Sequence, residues 1–482
     1  MLTSPPSPPS PPSPPPPSSA AEPGSAPPAA DARSAAPAAD TELPPGLRLR
    51  HLSMIALGGA IGAGLFVGSG VGIRAAGPAV IVSYVVAGLL VLLVMRMLAE
   101  MSAAQPATGS FSVYAARALG PWAGLTAGWL YWSLLVVSVA AEAIGAADIV
   151  TGWLPQIPGP VWMTVFMALF TGSNLAAVRR FGDLEFWFAG LKIAAICAFL
   201  LLGGLAVLGM LPGAPSSPGT THLTGHGGFL PHGWHGAALG LVAAVFAYGG
   251  LETVTIAAAE SDDPARAVGR AARSVVWRIF VFYVGSMVVV VTLLPWNSPA
   301  TNAPYAGALA TLGIPGAGHI MNAVVLIALL SAMNANIYGS SRMLYALVRR
   351  GDAPRVLGRV TGGVPRAAVL SSAAFGFVSV LLSAAWPDTV FPFLLNTVGA
   401  TILLVWLLIA ASQLRLRRRL EQRSPERLVV KMWLFPYLTW LALLTIGGVL
   451  LMMVLEPDSR TQVLCTGGWA AVLVCCAWLK RR

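Results

Sequence analysis

The sequence predicts an all-α membrane protein of about twelve transmembrane helices, on three observations. Of its 482 residues, 56% are hydrophobic and only 10% charged, with a mean hydropathy of +0.73. A soluble domain of that make-up would leave most of its surface apolar. The apolar residues also gather in runs of about 20, long enough for a helix to cross a hydrocarbon core about 30 Å thick. Finally, the sequence lacks the period-two alternation over about ten residues that marks a membrane β-barrel. Helices meet the requirement that backbone in lipid satisfy its own polar groups.

The elements follow in chain order. Residues 1–46 are Pro, Ser and Ala with hardly any large apolar side chain, which predicts a disordered tail preceding a transmembrane domain over 47–482. This segment lacks the basic start and continuous apolar stretch of a signal peptide, so the first apolar run is expected to be an uncleaved anchor. Spans are expected near 52–75, 79–99, 122–149, 158–178, 184–211, 236–259, 274–296, 319–342, 367–386, 391–413, 432–455 and 462–480. Gly77-Pro78, Gly120-Pro121, Gly159-Pro160, Asp263-Pro264 and Trp386-Pro387 punctuate them.

Basic residues set the orientation. Arg48 and Arg50, Arg117, Arg179 and Arg180, the arginines of 266–273, 349–359 and 415–419, and Lys480 with its two following arginines share one face. Only Arg74 and Arg460 fall on the other. The first face is then cytoplasmic, both termini lie on it, and the span count is even. A net charge of +11 is thereby explained by topology rather than by nucleic acid. Cys197, Cys465, Cys475 and Cys476 lie inside apolar runs without metal-type spacing and are read as packing thiols.

Two spans carry glycines where helix is otherwise required. The first contains Gly58-Gly59-Ala60-Ile61-Gly62-Ala63-Gly64, and the sixth contains Ala247-Tyr248-Gly249-Gly250-Leu251-Glu252. Glycine weakens helix, and either cluster alone also suits close helix packing. Interruptions five helices apart occupy corresponding positions in two repeats of five. That is the pattern of an inverted-repeat secondary transporter, here a 5+5 core with discontinuous first and sixth helices plus two C-terminal helices. Amides of Gly62, Ala63 and Gly64 would form a donor-rich cup for a carboxylate. Carbonyls near Phe246 and Ala247 would accept from an ammonium, so the site suits a zwitterion.

The stretch from His51 to Gly70, ending in GAIGAGLFVGSG, resembles the first-helix signature of the amino acid–polyamine–organocation superfamily. Within it, MRMLAEM at 95–101, TGSFSVYA at 108–115, GWLYW at 128–132, TGSNLAAV at 171–178 and VTIAAAESDDP at 254–264 resemble the amino acid transporter family, its GABA permease members above all. LLPWN at 293–297, SRMLYALVRRGDAP at 341–354, SQLRLRRRL at 412–420 and MWLFPYLTW at 432–440 extend the likeness, which runs from residue 46 to about 468. At 247–252 this chain reads Ala-Tyr-Gly-Gly-Leu-Glu where the family usually shows Ser-Phe-X-Gly-X-Glu.

Ionisable residues within spans are expensive and mark function or pairing. Lys192 lies about eight residues into the fifth span, roughly 12 Å deep. The resemblance implies that a lysine here takes the place of a coupling ion and that transport is coupled to protons. A static salt bridge is the plain alternative. Glu142, where GABA permeases also place a glutamate, is read as holding the substrate ammonium or taking the proton, against a purely structural pairing. Glu252 in the sixth-span break is read as a gating and proton residue, and Asp148 as a solvated rim charge. Glu100 and Glu260, with Arg96, Arg117 and the arginines after Pro264, are candidates for inner-gate ion pairs or simple topology charges. Phe246 and Tyr248 are candidates for an aromatic lid over substrate. Asn334 and Asn336 in the eighth span either contact substrate or bridge helices. Trp122, Trp129 and Trp132 are read as interface anchors or packing. The histidines at 222, 226, 232 and 235 sit among glycines whose spacing fixes no metal geometry.

No nucleophile elbow, phosphate-cradling loop or metal-ligand helix supports an enzyme or an ATP-driven pump. A channel would lack a filter-like repeat. The expected function is therefore import of a small amino acid, GABA foremost, by proton symport with alternating access in the cell membrane. No cofactor beyond the proton is expected, and the bilayer is the only other partner. A permease for proline or another neutral amino acid, or a transporter-like receptor without flux, is the alternative.

Overall fold

A computed structural model of the chain describes residues 61–105, 110–176, 178–211, 219–252, 279–361 and 363–480. The expected tail, Gly58 and Gly59, the inner half of the sixth span with Glu260, and the arginines of 266–273 lie outside the described residues. Within them helices joined by turns and short loops make up the chain, and Thr361 and Val364 make the single isolated β-bridge.

A π-helical turn, Gly64–Gly68, runs into α1 (Ser69–Ala76), and a short turn at Gly77-Pro78 reverses the chain into α2 (Val80–Ala104). The next helix, α3 (Ser110–Leu119), is short; α4 (Pro121–Trp153) then starts on a proline, whose fixed φ suits a first helical position. The first half closes with α5 (Gly159–Ala176) and α6 (Val178–Val207). The second half has α7 (Gly233–Tyr248), α8 (Gly285–Leu293) after a π-helical stretch from Ile279, and α9 (Pro304–Ala310). It continues with α10 (Ala317–Arg349), α11 (Arg366–Ala385) and α12 (Pro387–Arg423), followed by α13 (Tyr437–Leu455) and α14 (Pro457–Leu479).

Eight helical stretches among the described residues are long and apolar enough to span a bilayer, and two shorter apolar helices accompany them. The difference from the expected twelve has identifiable causes. Gly64–Ala104 counts as one stretch but holds the described part of the first span and all of the second. The sixth and seventh spans are the two short helices, and α5 carries Thr171, Gly172, Ser173 and Asn174, which lower its hydropathy.

Packing partners follow the arrangement that two inverted repeats of five require. The first span (α1) packs on the sixth (α7), the third (α4) on the eighth (α10), and the fourth (α5) on the ninth (α11). Contact of the third with the tenth (α12) is matched by contact of the eighth with the fifth (α6). Both α13 and α14 lie outside this core against α12. Leu169, Leu201, Leu381 and Leu444 are each more than half exposed on outward helix faces, as side chains meeting lipid would be. The four cysteines are also exposed and free, which corrects their reading as packed thiols: apolar sequence context does not separate a lipid-facing from a core-facing position.

At one end of α2 the expected pairing of Glu100 is corrected. Its carboxylate is buried against Arg417 of α12 and accepts from Gln413 Nε2 at 2.8 Å and from the Met432 amide. Gln413 in turn accepts from Thr439 Oγ1 at 3.0 Å. The network ties α2, α12 and α13 together. Removing one partner of such a pair costs about 3–5 kcal/mol, so it is a fastening rather than a gate formed with Arg96 or Arg117. Arg96 instead donates to the Lys431 carbonyl at 2.9 Å and lies over Trp433, and Arg117 meets Gln105 at 3.4 Å.

Candidate functional site

Among the described residues, helix begins at the first glycine cluster and ends at the second, and the two ends meet in the same place. Ile61 and Gly62 form a bend, and regular winding begins only at Ala63, with the Phe66 amide donating to the Gly62 carbonyl at 3.2 Å. The first amides of a helix have no acceptor in their own helix, and Gly62, Ala63 and Gly64 stand at this start among the described residues. A π-helical turn directly after them is the kind of irregularity that persists at functional positions.

The sixth span stops at Tyr248. Gly249 turns extended (φ −57°, ψ 139°) and Gly250 takes φ +94°, which only glycine adopts without strain. The Gly249 amide donates to the Phe246 carbonyl at 3.1 Å, so that carbonyl already serves the turn. Glu252 Oε1 accepts from the Gly250 amide at 3.2 Å, and its polar neighbours are Tyr131 of α4 and Trp406 of α12, all buried.

The two breaks touch through their backbones. A Cβ placed on Gly64 would lie 2.6 Å from Ala247 Cα and 3.0 Å from the Phe246 carbonyl oxygen. A Cβ on Gly62 would lie 3.0 Å from Glu142 Oε1 and 3.0 Å from Ala332 Cβ. Thus Glu142 of α4 reaches the break in the first span, opposite α10. Both Glu142 oxygens accept from Asn336 Nδ2, at 3.1 and 3.0 Å. Asn336 is therefore a helix bridge, and so is Asn334, whose Oδ1 accepts from Asn174 of α5 at 2.7 Å.

Lys192 is fully buried, with its Nζ 3.8 Å from Glu185 Oε1. Ser331 Oγ of α10 donates to both oxygens of Glu185 at 2.8 Å. Lys192 and Glu185 are close enough to Glu142 to act on it electrostatically. Glu142, Glu185 and Lys192 thus share a buried region between α4, α6 and α10. Sequence reasoning missed Glu185 because it stands at the edge of its span. The available signal was its spacing of seven from Lys192, two helical turns along one face.

The aromatic pair separates. Phe246 packs on Gly68, where a Cβ would meet its ring at 3.0 Å, and so covers the first span beside the break. Tyr248 instead stacks on Tyr283 at 4.6 Å and donates to the Tyr84 carbonyl at 2.9 Å. Its hydroxyl and ring are committed to a tyrosine cluster between α2, α7 and the seventh span, which corrects its reading as a lid.

Other candidates lie apart. Asp148 is exposed near the end of α4. Trp129 and Trp132 donate to the Asp352 carbonyl and to Ser372, and Trp122 to the Leu119 carbonyl. Among the histidines, ring nitrogens of His222, His232 and His235 meet Thr292, Ala75 and Glu456 respectively, pinning the loop at three separate points.

Comparison with known proteins places the chain in a family. The amino acid permease family model matches residues 51–480. A gamma-aminobutyric acid permease of Bacillus subtilis (strain 168) is 47% identical over 426 residues, 87% of this chain and 90% of its own length. A gamma-aminobutyric acid permease of Escherichia coli (strain K12) is 46% identical over 437 residues, covering 90% and 93%. An aromatic amino acid transport protein of Corynebacterium glutamicum is 48% identical over 427 residues, covering 87% and 91%.

Proposed function

The chain belongs to the amino acid permease family, and on that premise we propose that it imports gamma-aminobutyrate by proton symport. It is a multi-pass membrane transporter and not an enzyme. Crossed breaks with Glu142 beside them are the observation that carries the site assignment. The amides at Gly62, Ala63 and Gly64 supply a positive end for the substrate carboxylate. Glu142 supplies the negative end for its ammonium, with the backbone at Phe246 and Ala247 completing the far wall. Phe246 covers the site from the outer side.

Coupling is assigned to Lys192 with Glu185. Lys192, Glu185 and Glu142 lie buried in a region of low dielectric, where the gain or loss of one proton, or the arrival of a substrate ammonium, shifts the charge balance strongly. Glu252, at the sixth-span turn, is assigned to gating. With the arginine-rich face and both termini cytoplasmic, an inward proton is worth about 2.3 kcal/mol per 100 mV of membrane potential. Substrate and proton bind between the crossed breaks, and one bundle then rocks against the rest.

The aromatic amino acid transport relative supports a second substrate reading, since it is as similar as the gamma-aminobutyric acid permeases. Uptake of labelled gamma-aminobutyrate into proteoliposomes, with unlabelled phenylalanine, proline and gamma-aminobutyrate as competitors in large excess, decides between them. Competition by gamma-aminobutyrate alone is expected. Accumulation of phenylalanine, with blocking of any gamma-aminobutyrate uptake, moves the assignment to the aromatic class. Binding without uptake of any of them would mark a receptor.

A further inference from the structure

Along α12, Ala411, Leu414, Arg415, Arg418 and Arg419 recur at the three- and four-residue intervals that fall on one helix face. That face is apolar at Ala411 and Leu414 and basic from Arg415 onward. With Trp440 and Leu443 of α13 it walls a groove of about 440 Å³, closed on its other side by the end of α3. Trp440 is half exposed there, in the manner of the aromatic residues that gather at a membrane–water boundary.

The basic part of the groove is not neutralised from within. Glu421 and Glu100 both pair with Arg417, on a different side of α12. Arg419 uses one Nη to reach the Arg117 carbonyl at 2.9 Å. Arg415 and Arg418 are exposed and make no ion pair or hydrogen bond among the described residues. An isolated patch of arginines on a soluble face would need no apolar continuation, whereas here the same face runs directly onto lipid-facing surface.

We propose that this groove binds an anionic phospholipid, its phosphate held by Arg415 and Arg418 and an acyl chain lying along Ala411, Leu414 and Leu443. Guanidinium forks match phosphate oxygens in pairs, and basic pockets between transmembrane helices recognise acidic headgroups. Free phosphate shares the headgroup chemistry but has nothing to set against the apolar floor. The ligand would clamp α12 to α13, the same pair that the Glu100 network fastens from the inner side.

Native mass spectrometry of the purified full-length protein tests this, with phosphatidylglycerol and phosphatidylcholine of equal chain length and inorganic phosphate as probes. Phosphatidylglycerol is expected to bind saturably and ahead of phosphatidylcholine, and inorganic phosphate is expected not to displace it. The double variant Arg415→Gln, Arg418→Gln should weaken phosphatidylglycerol binding by roughly 30-fold. The same charge change at Arg355 and Arg359, both exposed in another loop of the arginine-rich face, should leave binding as in the wild type. Equal binding of both lipids, equal loss in the two double variants, or displacement by inorganic phosphate would each overturn the proposal.

Discussion

Substrate uptake through Gly64→Ala protein is expected to fall roughly ten- to hundred-fold, with the protein still inserted and monodisperse. The added Cβ would stand 2.6 Å from Ala247 Cα and 3.1 Å from Ala247 N. Both are backbone atoms, so no side chain can swing aside to make room. Relief requires the first and sixth spans to separate where the helix ends bordering the two breaks meet, and that opens the substrate region itself. Overpacking a tight contact costs about 1–3 kcal/mol even where side chains can yield. Gly152→Ala, on α4 with nothing within 4 Å of its Cβ position, is the matched control and should transport normally. Proteoliposome uptake alongside size-exclusion profiles checks both. Full uptake in Gly64→Ala protein would mean that the two breaks do not need their close approach.

The second large effect is expected at Glu142. Glutamine keeps the shape and still accepts from Asn336, so Glu142→Gln removes the charge with little else. A hydrogen bond to a charged group is worth about 1.5–3 kcal/mol, which corresponds to roughly a ten- to hundred-fold loss in kcat/KM. If Glu142 holds the substrate ammonium, the loss falls mainly on KM. An unchanged KM with lost gradient dependence would reassign Glu142 to the proton. Unchanged kinetics would leave it as a helix bridge only.

Much of this architecture was legible in the sequence for simple reasons. A span must be apolar over its whole length, so runs and Gly-Pro punctuation reveal it. Glycine clusters at mid-membrane are expensive enough to stand out, and finding two at corresponding positions identified the crossing of α1 and α7. Lys192 and Glu142 stood out because charge in lipid is rare. Partners were harder to see. Glu100 has Arg96 four residues before it, yet its carboxylate is taken by Arg417, 317 positions away, because only the fold brings α2 beside α12. Ser331 joins the Glu185–Lys192 pair from another helix in the same way, whereas Glu185 itself lies seven positions before Lys192 on α6. Tyr248 misled for a local reason. It is two positions from Phe246, which on a helix turns the side chain about 200° to the opposite face.

The most direct test of the central proposal is accumulation of labelled gamma-aminobutyrate in proteoliposomes with and without an inward proton gradient, for wild type and Lys192→Ala. Gradient-driven accumulation by the wild type, lost in Lys192→Ala while exchange of substrate across the membrane persists, is the predicted result. Exchange retained in the variant shows that the protein is folded and that only coupling is gone. Wild-type uptake that ignores the gradient, or a Lys192→Ala protein that still accumulates substrate, would contradict proton symport through this lysine.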